Sequence, residues 1–274
     1  MALRFLSNQL QAAGAAFQLI TRIPIPVLIP FTPPVLARSS VYYPLVGTVI
    51  GGILAGAGWL LFTYVPAMPA AVLLLILWAA LSGALHLDGL MDTADGVLSH
   101  RSRERMLEIM KDSRVGAMGV IAAVFVLLFK FALLASLLGQ EMWLHTALYL
   151  AAACGWSRLW LVWAMIGWPM ARPGEGMASM FAEVRVRHAA AATLVQLVLV
   201  LGIGLLLGLA WGDVLNQLAV QAGLTLITGS VVSGWLCRKL GGLTGDTYGA
   251  LNEVIESVLL FAALAGGNGF HLLF

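Results

Sequence analysis

Residues 115–138 read VGAMGVIAAVFVLLFKFALLASLL, an apolar run with a single charge at Lys130. An α-helix needs about 20 such residues to cross the roughly 30 Å of hydrocarbon in a bilayer. Comparable runs recur along the whole chain, which is 61% hydrophobic and only 10% charged, with a mean hydropathy of +0.94. Because a soluble domain carries roughly a quarter charged residues, the sequence predicts an all-α, polytopic helical bundle in a membrane. The recurrence also argues against a cleaved leader followed by a soluble domain.

About seven spanning helices are predicted, with an interfacial helix before them. The stretch 5–20 is apolar but carries several amides, which suits a helix in the membrane interface better than a span. Residues 1–274 are expected to form one domain, of which 1–40 are cytoplasmic or interfacial. Turns are predicted at Pro- and Gly-containing points, at 65–69, 139–141, 167–169, 212–213 and 241–242. The predicted spans are 42–64, 70–88, 115–138, 144–168, 189–211, 217–237 and 247–266.

Basic residues are concentrated on one side of these spans. Of the fifteen Lys and Arg residues, all but Lys130 and Arg158 lie in the amino-terminal region or in the even-numbered connections. Basic loops are retained in the cytoplasm, so this side is predicted to be cytoplasmic, in the inner or plasma membrane. Cys154 and Cys237 lie in apolar segments, and no disulfide is expected between them.

An acidic motif, HLDGLMDTADG at residues 86–96, follows the second span. Asp88, Asp92 and Asp95 have i, i+4, i+7 spacing, which places them within about 60° of one another on a helix. Three such charges beside a membrane repel unless a cation neutralises them, and hard oxygen ligands favour Mg²⁺ or Mn²⁺ over zinc. The alternative interpretation is a solvated helix end. His86 lies on the other side of the helix, where packing or a hydrogen bond is favoured over a ligand or acid–base role.

A second segment, at 108–119, opens the third span behind a basic loop. Asp112 is interpreted either as the cap of that helix or as part of the metal shell. Lys111 and Arg114, with Gly116 and Gly119 behind them, suit a phosphate cradle at the helix amino terminus. The alternative is that the basic loop acts only as a topology signal.

A third segment, at 241–256, opens the last span. Asp246 is either a metal ligand or an ordinary helix cap. Glu253 and Glu256 lie deeper in the apolar helix, and intramembrane carboxylates are by default functional or paired. Arg158 and Lys130 are the available partners, although both could instead extend their charges to the interface.

Five segments, in this order and combination, resemble the cobalamin 5′-phosphate synthase family, also called the adenosylcobinamide-GDP ribazoletransferases. A looser similarity extends to the Arg- and Gly-containing loop at 171–177. The five segments are residues 21–24, 43–47, 86–96, 110–119 and 242–256.

The resemblance implies a Mg²⁺-dependent membrane transferase in the late, nucleotide-loop step of cobalamin biosynthesis. The ribose 3′-hydroxyl of α-ribazole, or of its 5′-phosphate, would attack the cobinamide-proximal phosphorus of adenosylcobinamide-GDP, and GMP would leave. Expected partners are these substrates and the lipid bilayer, with no nucleic acid. A homo-oligomer, or association with other cobalamin-assembly enzymes, is the remaining partner expectation.

The predicted site combines metal ligands, catalytic residues and substrate contacts. Either Asp92 or Asp95 would accept the proton of the attacking hydroxyl, and spacing alone does not choose between them. The predicted metal ligands are Asp88, Asp92, Asp95, Asp112 and Asp246; the catalytic residues are Asp92, Asp95 and Lys111; the substrate-binding residues are Arg22, Lys111, Arg114, Arg172 and Glu253.

Two other functions remain open from the residues themselves. A CDP-alcohol phosphotransferase also uses an Asp-Gly-rich metal motif on membrane helices, but normally has Ala-Arg where Met91-Asp92 stands here. A cation- or proton-coupled transporter would use the same carboxylates as an ion path.

Overall fold

The computed structural model describes residues 2–138 and 143–267. Within these ranges, β-structure is limited to one isolated bridge between Met170 and Leu243. The all-α fold class is therefore confirmed. In chain order the helices are α1 Ala2–Ile20, α2 Pro33–Ser39, α3 Tyr43–Tyr64, α4 Ala67–Ser82, α5 Leu85–Val97, α6 Arg103–Ile109, α7 Ala117–Leu138, α8 Trp143–Gly167, α9 Val186–Leu206, α10 Trp211–Leu240 and α11 Gly245–Gly267.

The long apolar helices match the predicted spans. Six stretches of the described chain are long and apolar enough to cross a membrane, and a seventh is added if the bent pair α4–α5 counts as one span. They correspond to α3, the bent pair α4–α5 and α7 to α11, which confirms a polytopic helical bundle. We call the basic end the end of the bundle where α4, α8 and α10 finish and α7, α9 and α11 start. The turn predicted at 139–141 lies outside the described residues.

The predicted second span, 70–88, is wrong in its second half. Helix α4 ends at Ser82, and the chain turns by 89° before α5. Two consecutive left-handed residues make this bend, Gly83 at φ +62° and Ala84 at φ +55°. A left-handed conformation costs an alanine roughly 1–2 kcal/mol, and the apolar residues around it give no sign of a break. The acidic motif consequently lies on a helix of its own.

The turn predicted at 212–213 is also wrong. Helix α9 ends at Leu206, and Gly208 takes the left-handed conformation that reverses the chain. Helix α10 then begins at Trp211, so Gly212 and Asp213 form part of its first turn. An acidic residue is favourable there because it faces the positive end of the helix dipole.

Glycines on α3 allow close packing against α8, the most deeply buried helix, in which residues 150–162 are all buried. A Cβ at Gly47 would collide with the carbonyl oxygen of Cys154. A Cβ at Gly51 would lie 2.5 Å from the carbonyl oxygen of Leu150. Small residues at such contacts let two membrane helices gain dispersion energy along their backbones. This pair forms the framework on which the other helices pack.

The amino-terminal helix is present as predicted, whereas its place in the membrane interface stays a prediction. Helix α1 is tied to the start of the bundle by Tyr42, whose hydroxyl donates to Gln9 Oε1 at 2.8 Å. Gln18 donates to the carbonyl oxygens of Ile25 and Val27. The Gln18 amide therefore holds the segment that follows α1 against the helix.

Candidate active site

Helix α5 carries its three aspartates at the basic end, beyond the 89° bend that follows α4. Asp88 is exposed, while Asp92 and Asp95 are partly buried. Burial raises the pKa of Asp92 to about 6. Neighbouring carboxylates act in the same direction, in the order Asp88, Asp246 and Asp95. The first turn of α11 therefore adds a fourth carboxylate to the three that share a face of α5.

Asp95 holds the start of α7. Its two carboxylate oxygens accept the backbone N–H groups of Gly116 at 2.7 Å and Gly119 at 2.8 Å. A Cβ at either glycine would collide with this carboxylate. Two of the N–H groups that the predicted phosphate cradle would offer are thus taken up by Asp95, as expected where a carboxylate meets a helix amino terminus. Of the two roles left open for Asp112, capping α7 is wrong.

Asp246 lies against α5 because Gly89 has no side chain. A Cβ at Gly89 would stand 2.6 Å from the carbonyl oxygen of Asp246. The cap of α11 is Thr244, whose Oγ1 accepts the N–H of Thr247 at 3.2 Å. The interpretation of Asp246 as an ordinary cap is therefore wrong. Its side chain instead accepts from Thr244 Oγ1 at 3.2 Å and lies 3.6 Å from the guanidinium of Arg172.

The other predicted site residues at the basic end form ion pairs or lie at its edge. Arg114 forms an exposed ion pair with Asp112 at 2.6 Å and holds the pKa of that carboxyl down, at about 2. Asp112 is thus engaged away from the α5 aspartates. Lys111 donates to Glu175. Arg22 is exposed and packs its side chain over Gly83, at the bend that leads into α5.

Glu253 and Glu256 form a buried ionic cluster with both predicted partners. Lys130 Nζ lies 2.7 Å from Glu253 and 2.6 Å from Glu256, and Arg158 pairs with Glu256. Lys130 is 3% exposed and also lies over the ring of Trp78, so its extension to the interface is wrong. Glu253 is 8% exposed and engaged with Lys130, which places it away from any open surface.

His86 lies on the inner side of α5, as its position opposite Asp88 suggests. It is 4% exposed. Its backbone packs against Gly249, where a Cβ would lie 2.8 Å from the His86 carbonyl oxygen. This position agrees with the packing role favoured for His86 from the sequence.

The carboxylates fit a hard divalent cation in their chemistry, although they do not form a finished coordination shell. Across residues 2–138 and 143–267, no three Asp, Glu, His or Cys side chains stand close enough to hold one ion. Asp88 and Asp92, however, lack any Lys or Arg within ion-pair distance among those residues. Uncompensated carboxylates beside Asp246 are the donors that Mg²⁺ prefers.

Glu175 is a site residue that the sequence interpretation missed. It pairs with Lys111 across 64 positions of sequence and lies three residues after Arg172. Its only signal was its place in the loop at 171–177. An ion pair between two loops has no spacing in sequence that would reveal it.

The fold and the site together define a polytopic helical membrane protein with an acidic helix packed against the starts of two spans. The family described as cobalamin-5-phosphate synthase matches residues 12–264. The chain therefore belongs to this family, which argues against a CDP-alcohol phosphotransferase, and it is a transferase, which argues against a transporter.

Curated relatives align with most of the chain. An adenosylcobinamide-GDP ribazoletransferase of Roseiflexus sp. (strain RS-1) is 40% identical over 248 residues, covering 90% of this chain and 87% of the relative. Proteins of the same name from Desulforamulus reducens and Pseudomonas paraeruginosa are 43% and 42% identical, covering 84% and 92% of this chain and 87% and 97% of the relatives. No solved structure matches the chain.

Proposed function

We propose that this transferase joins adenosylcobinamide-GDP to α-ribazole or to α-ribazole 5′-phosphate. The products would be adenosylcobalamin, or its 5′-phosphate, and GMP. Support comes from the family and from the names of the relatives. The observation that carries the proposal is the packing of α5 against the start of α11, which brings Asp246 near Asp88 and Asp92, with the guanidinium of Arg172 3.6 Å from Asp246.

In this reaction the ribose 3′-hydroxyl forms a bond to the cobinamide-proximal phosphorus, and the bond from that phosphorus to the GMP oxygen breaks. The hydroxyl proton passes to a carboxylate. Asp92 is better suited than Asp95, because both oxygens of Asp95 already accept backbone N–H groups of α7. Arg172 and Lys111 lie on the Asp246 side, where they can offset phosphate charge.

Mg²⁺, with Mn²⁺ as a substitute, is the cofactor of this proposal. Asp88, Asp92 and Asp246 would supply its oxygen ligands by rotating their side chains toward it, since they do not stand close enough to share an ion in this structure. Asp95 positions the start of α7, and Asp112 stays with Arg114. The metal would supply positive charge at the diphosphate and at the departing GMP. The absence of basic partners around Asp88 and Asp92 in the described chain supports this assignment.

The site faces the cytoplasm of the inner or plasma membrane in this proposal. The acidic helix lies at the basic end of the bundle, and basic loops are retained on the cytoplasmic side. Nucleotide-activated substrates are found on that side. A reporter fused after α11 tests the orientation, because an external carboxyl terminus gives activity only to a reporter that folds outside the cytoplasm.

The decisive experiment measures GMP release by the purified protein in lipid nanodiscs. Release should require both adenosylcobinamide-GDP and an acceptor, and it should stop with a chelator or with Asp88→Asn. Asp213→Asn is the matched control, since Asp213 is exposed at the opposite end and lies near His145. GMP release that persists without a divalent metal would refute the metal assignment. GMP release in the absence of both α-ribazole and α-ribazole 5′-phosphate would refute the reaction.

Asp246→Asn tests the contribution of the last helix. If Asp246 helps to hold the metal, this variant should need a higher Mg²⁺ concentration for half-maximal rate, in the manner of a lost oxygen ligand. Activity and Mg²⁺ dependence equal to the wild type would leave Asp246 with a structural role only.

A further inference from the structure

A cleft of about 130 Å³ opens beside Asp246, between the loop 170–176 and the first residues of α11. Backbone hydrogen bonds join its two walls, from Ala171 N to Leu243 O at 2.9 Å and from Leu243 N to Pro169 O at 2.8 Å. Gly176 and Gly245 line it, and a Cβ at either would meet nothing within 4 Å. The two walls of the cleft are therefore held together by hydrogen bonds, and the backbone at Gly176 and Gly245 is open to a ligand.

Arg172 brings unsatisfied hydrogen-bond donors to this cleft. Its Nε and Nη2 atoms are buried, yet neither has a hydrogen-bond acceptor in the described part of the chain. The carboxylate of Asp246 stands 3.6 Å from Nη2, which is too far for a hydrogen bond. Buried donors without acceptors are costly, and a guanidinium matches the paired oxygens of a phosphate. An anion in the cleft would supply the missing acceptors.

Lys111 and Glu175 bring a second cation and a competing anion to the same place. Glu175 lines the cleft and accepts a hydrogen bond from Lys111, which holds the pKa of the Glu175 carboxyl below its usual range. Both side chains are more than half exposed. Breaking this exposed ion pair therefore costs little free energy, so an entering phosphate can replace Glu175 as the partner of Lys111. Glu175 itself repels that phosphate.

We infer that this cleft binds a phosphate group of one substrate, with Arg172 as its principal ligand and Glu175 as its competitor. The inference rests on the proposed function and deepens it. Pockets for drug-sized ligands measure about 300–1,000 Å³, so this cleft suits a phosphate group and not a whole nucleotide. Two groups have the required chemistry: the 5′-phosphate of α-ribazole 5′-phosphate and the guanosine-side phosphate of adenosylcobinamide-GDP.

Steady-state kinetics with two acceptors separates these sources. In Arg172→Gln, loss of charge-assisted hydrogen bonds should raise one KM about 10- to 100-fold. A rise confined to α-ribazole 5′-phosphate, with α-ribazole unaffected, identifies the acceptor phosphate. A rise for adenosylcobinamide-GDP with both acceptors identifies the guanosine-side phosphate. Arg187→Gln is the control, because Arg187 is an exposed arginine at the same end, and its KM values should equal those of the wild type.

Glu175→Gln should act in the opposite direction. Removing the competing charge should lower the affected KM about two- to fivefold, the range of an exposed ion pair. A residue that only stabilised the loop would not improve binding when changed. KM values in Arg172→Gln that match those of Arg187→Gln, or a raised KM in Glu175→Gln, would overturn the inference.

A binding measurement without turnover keeps this inference separate from the proposed reaction. Inorganic phosphate, the group that both sources share, should raise the unfolding temperature of the detergent-solubilised wild-type protein, because it binds the folded state. The rise should vanish in Arg172→Gln and remain in Arg187→Gln. That pattern without any GMP release would refute the reaction and support the cleft. Equal rises in wild type and Arg172→Gln would refute the cleft.

Discussion

Replacing Glu256 by Gln should lower the free energy of unfolding by about 3–5 kcal/mol, the usual cost of removing one partner from a buried ion pair. Glu256 is fully buried, and its carboxylate pairs with Lys130 at 2.6 Å and with Arg158. Lys130 keeps a second carboxylate, that of Glu253, at 2.7 Å. Arg158 is fully buried and has no other carboxylate partner in the described chain. Most of the cost should therefore arise at Arg158.

The assay is denaturant unfolding in detergent micelles, followed by the fluorescence of the nine tryptophans. Glu108→Gln is the matched control, because Glu108 pairs with Arg105 at a similar distance, 2.7 Å, but is 63% exposed. Its expected cost is below about 1 kcal/mol. Adding Arg158→Gln to Glu256→Gln should restore part of the stability, since the uncompensated charge is then removed. Equal free-energy costs for Glu256→Gln and Glu108→Gln, with no recovery of stability when Arg158→Gln is added to Glu256→Gln, would refute this reasoning.

Three further outcomes are expected. Gly51→Ala should destabilise the bundle by forcing α3 away from α8, whereas Gly52→Ala, where a Cβ meets nothing within 4 Å, should not; equal unfolding curves would contradict this. Asp95→Ala should speed amide hydrogen exchange at the start of α7, and exchange rates equal to the wild type would exclude its capping role. Because the pKa of Asp92 is raised to about 6, its proton should compete with metal at acidic pH: Mn²⁺ affinity should fall roughly tenfold per pH unit below 6, and this dependence should flatten in Asp92→Asn.

Composition and order of residues were enough to predict the architecture. Crossing the hydrocarbon layer requires about 20 apolar residues in one helix. Each span is therefore determined by its own stretch of sequence and can be recognised without knowing which helices pack against it. The grouping of Asp88, Asp92 and Asp95 follows from helix periodicity for the same reason. The pairing of Glu253 and Glu256 with Lys130 and Arg158 was also predictable, because a charge inside an apolar helix needs a partner and few were available.

Tertiary structure decided how these parts meet. The bend at Gly83 and Ala84 was missed because Leu81, Leu85 and Leu87 continue the apolar pattern across it, and only packing holds an alanine in the left-handed conformation. The capping of α7 by Asp95, and the loop contact that brings Glu175 to Lys111, join residues far apart in sequence. Local pattern determines which helices form and which groups are charged; the positions of those groups depend on contacts between distant segments, which the folded chain alone creates.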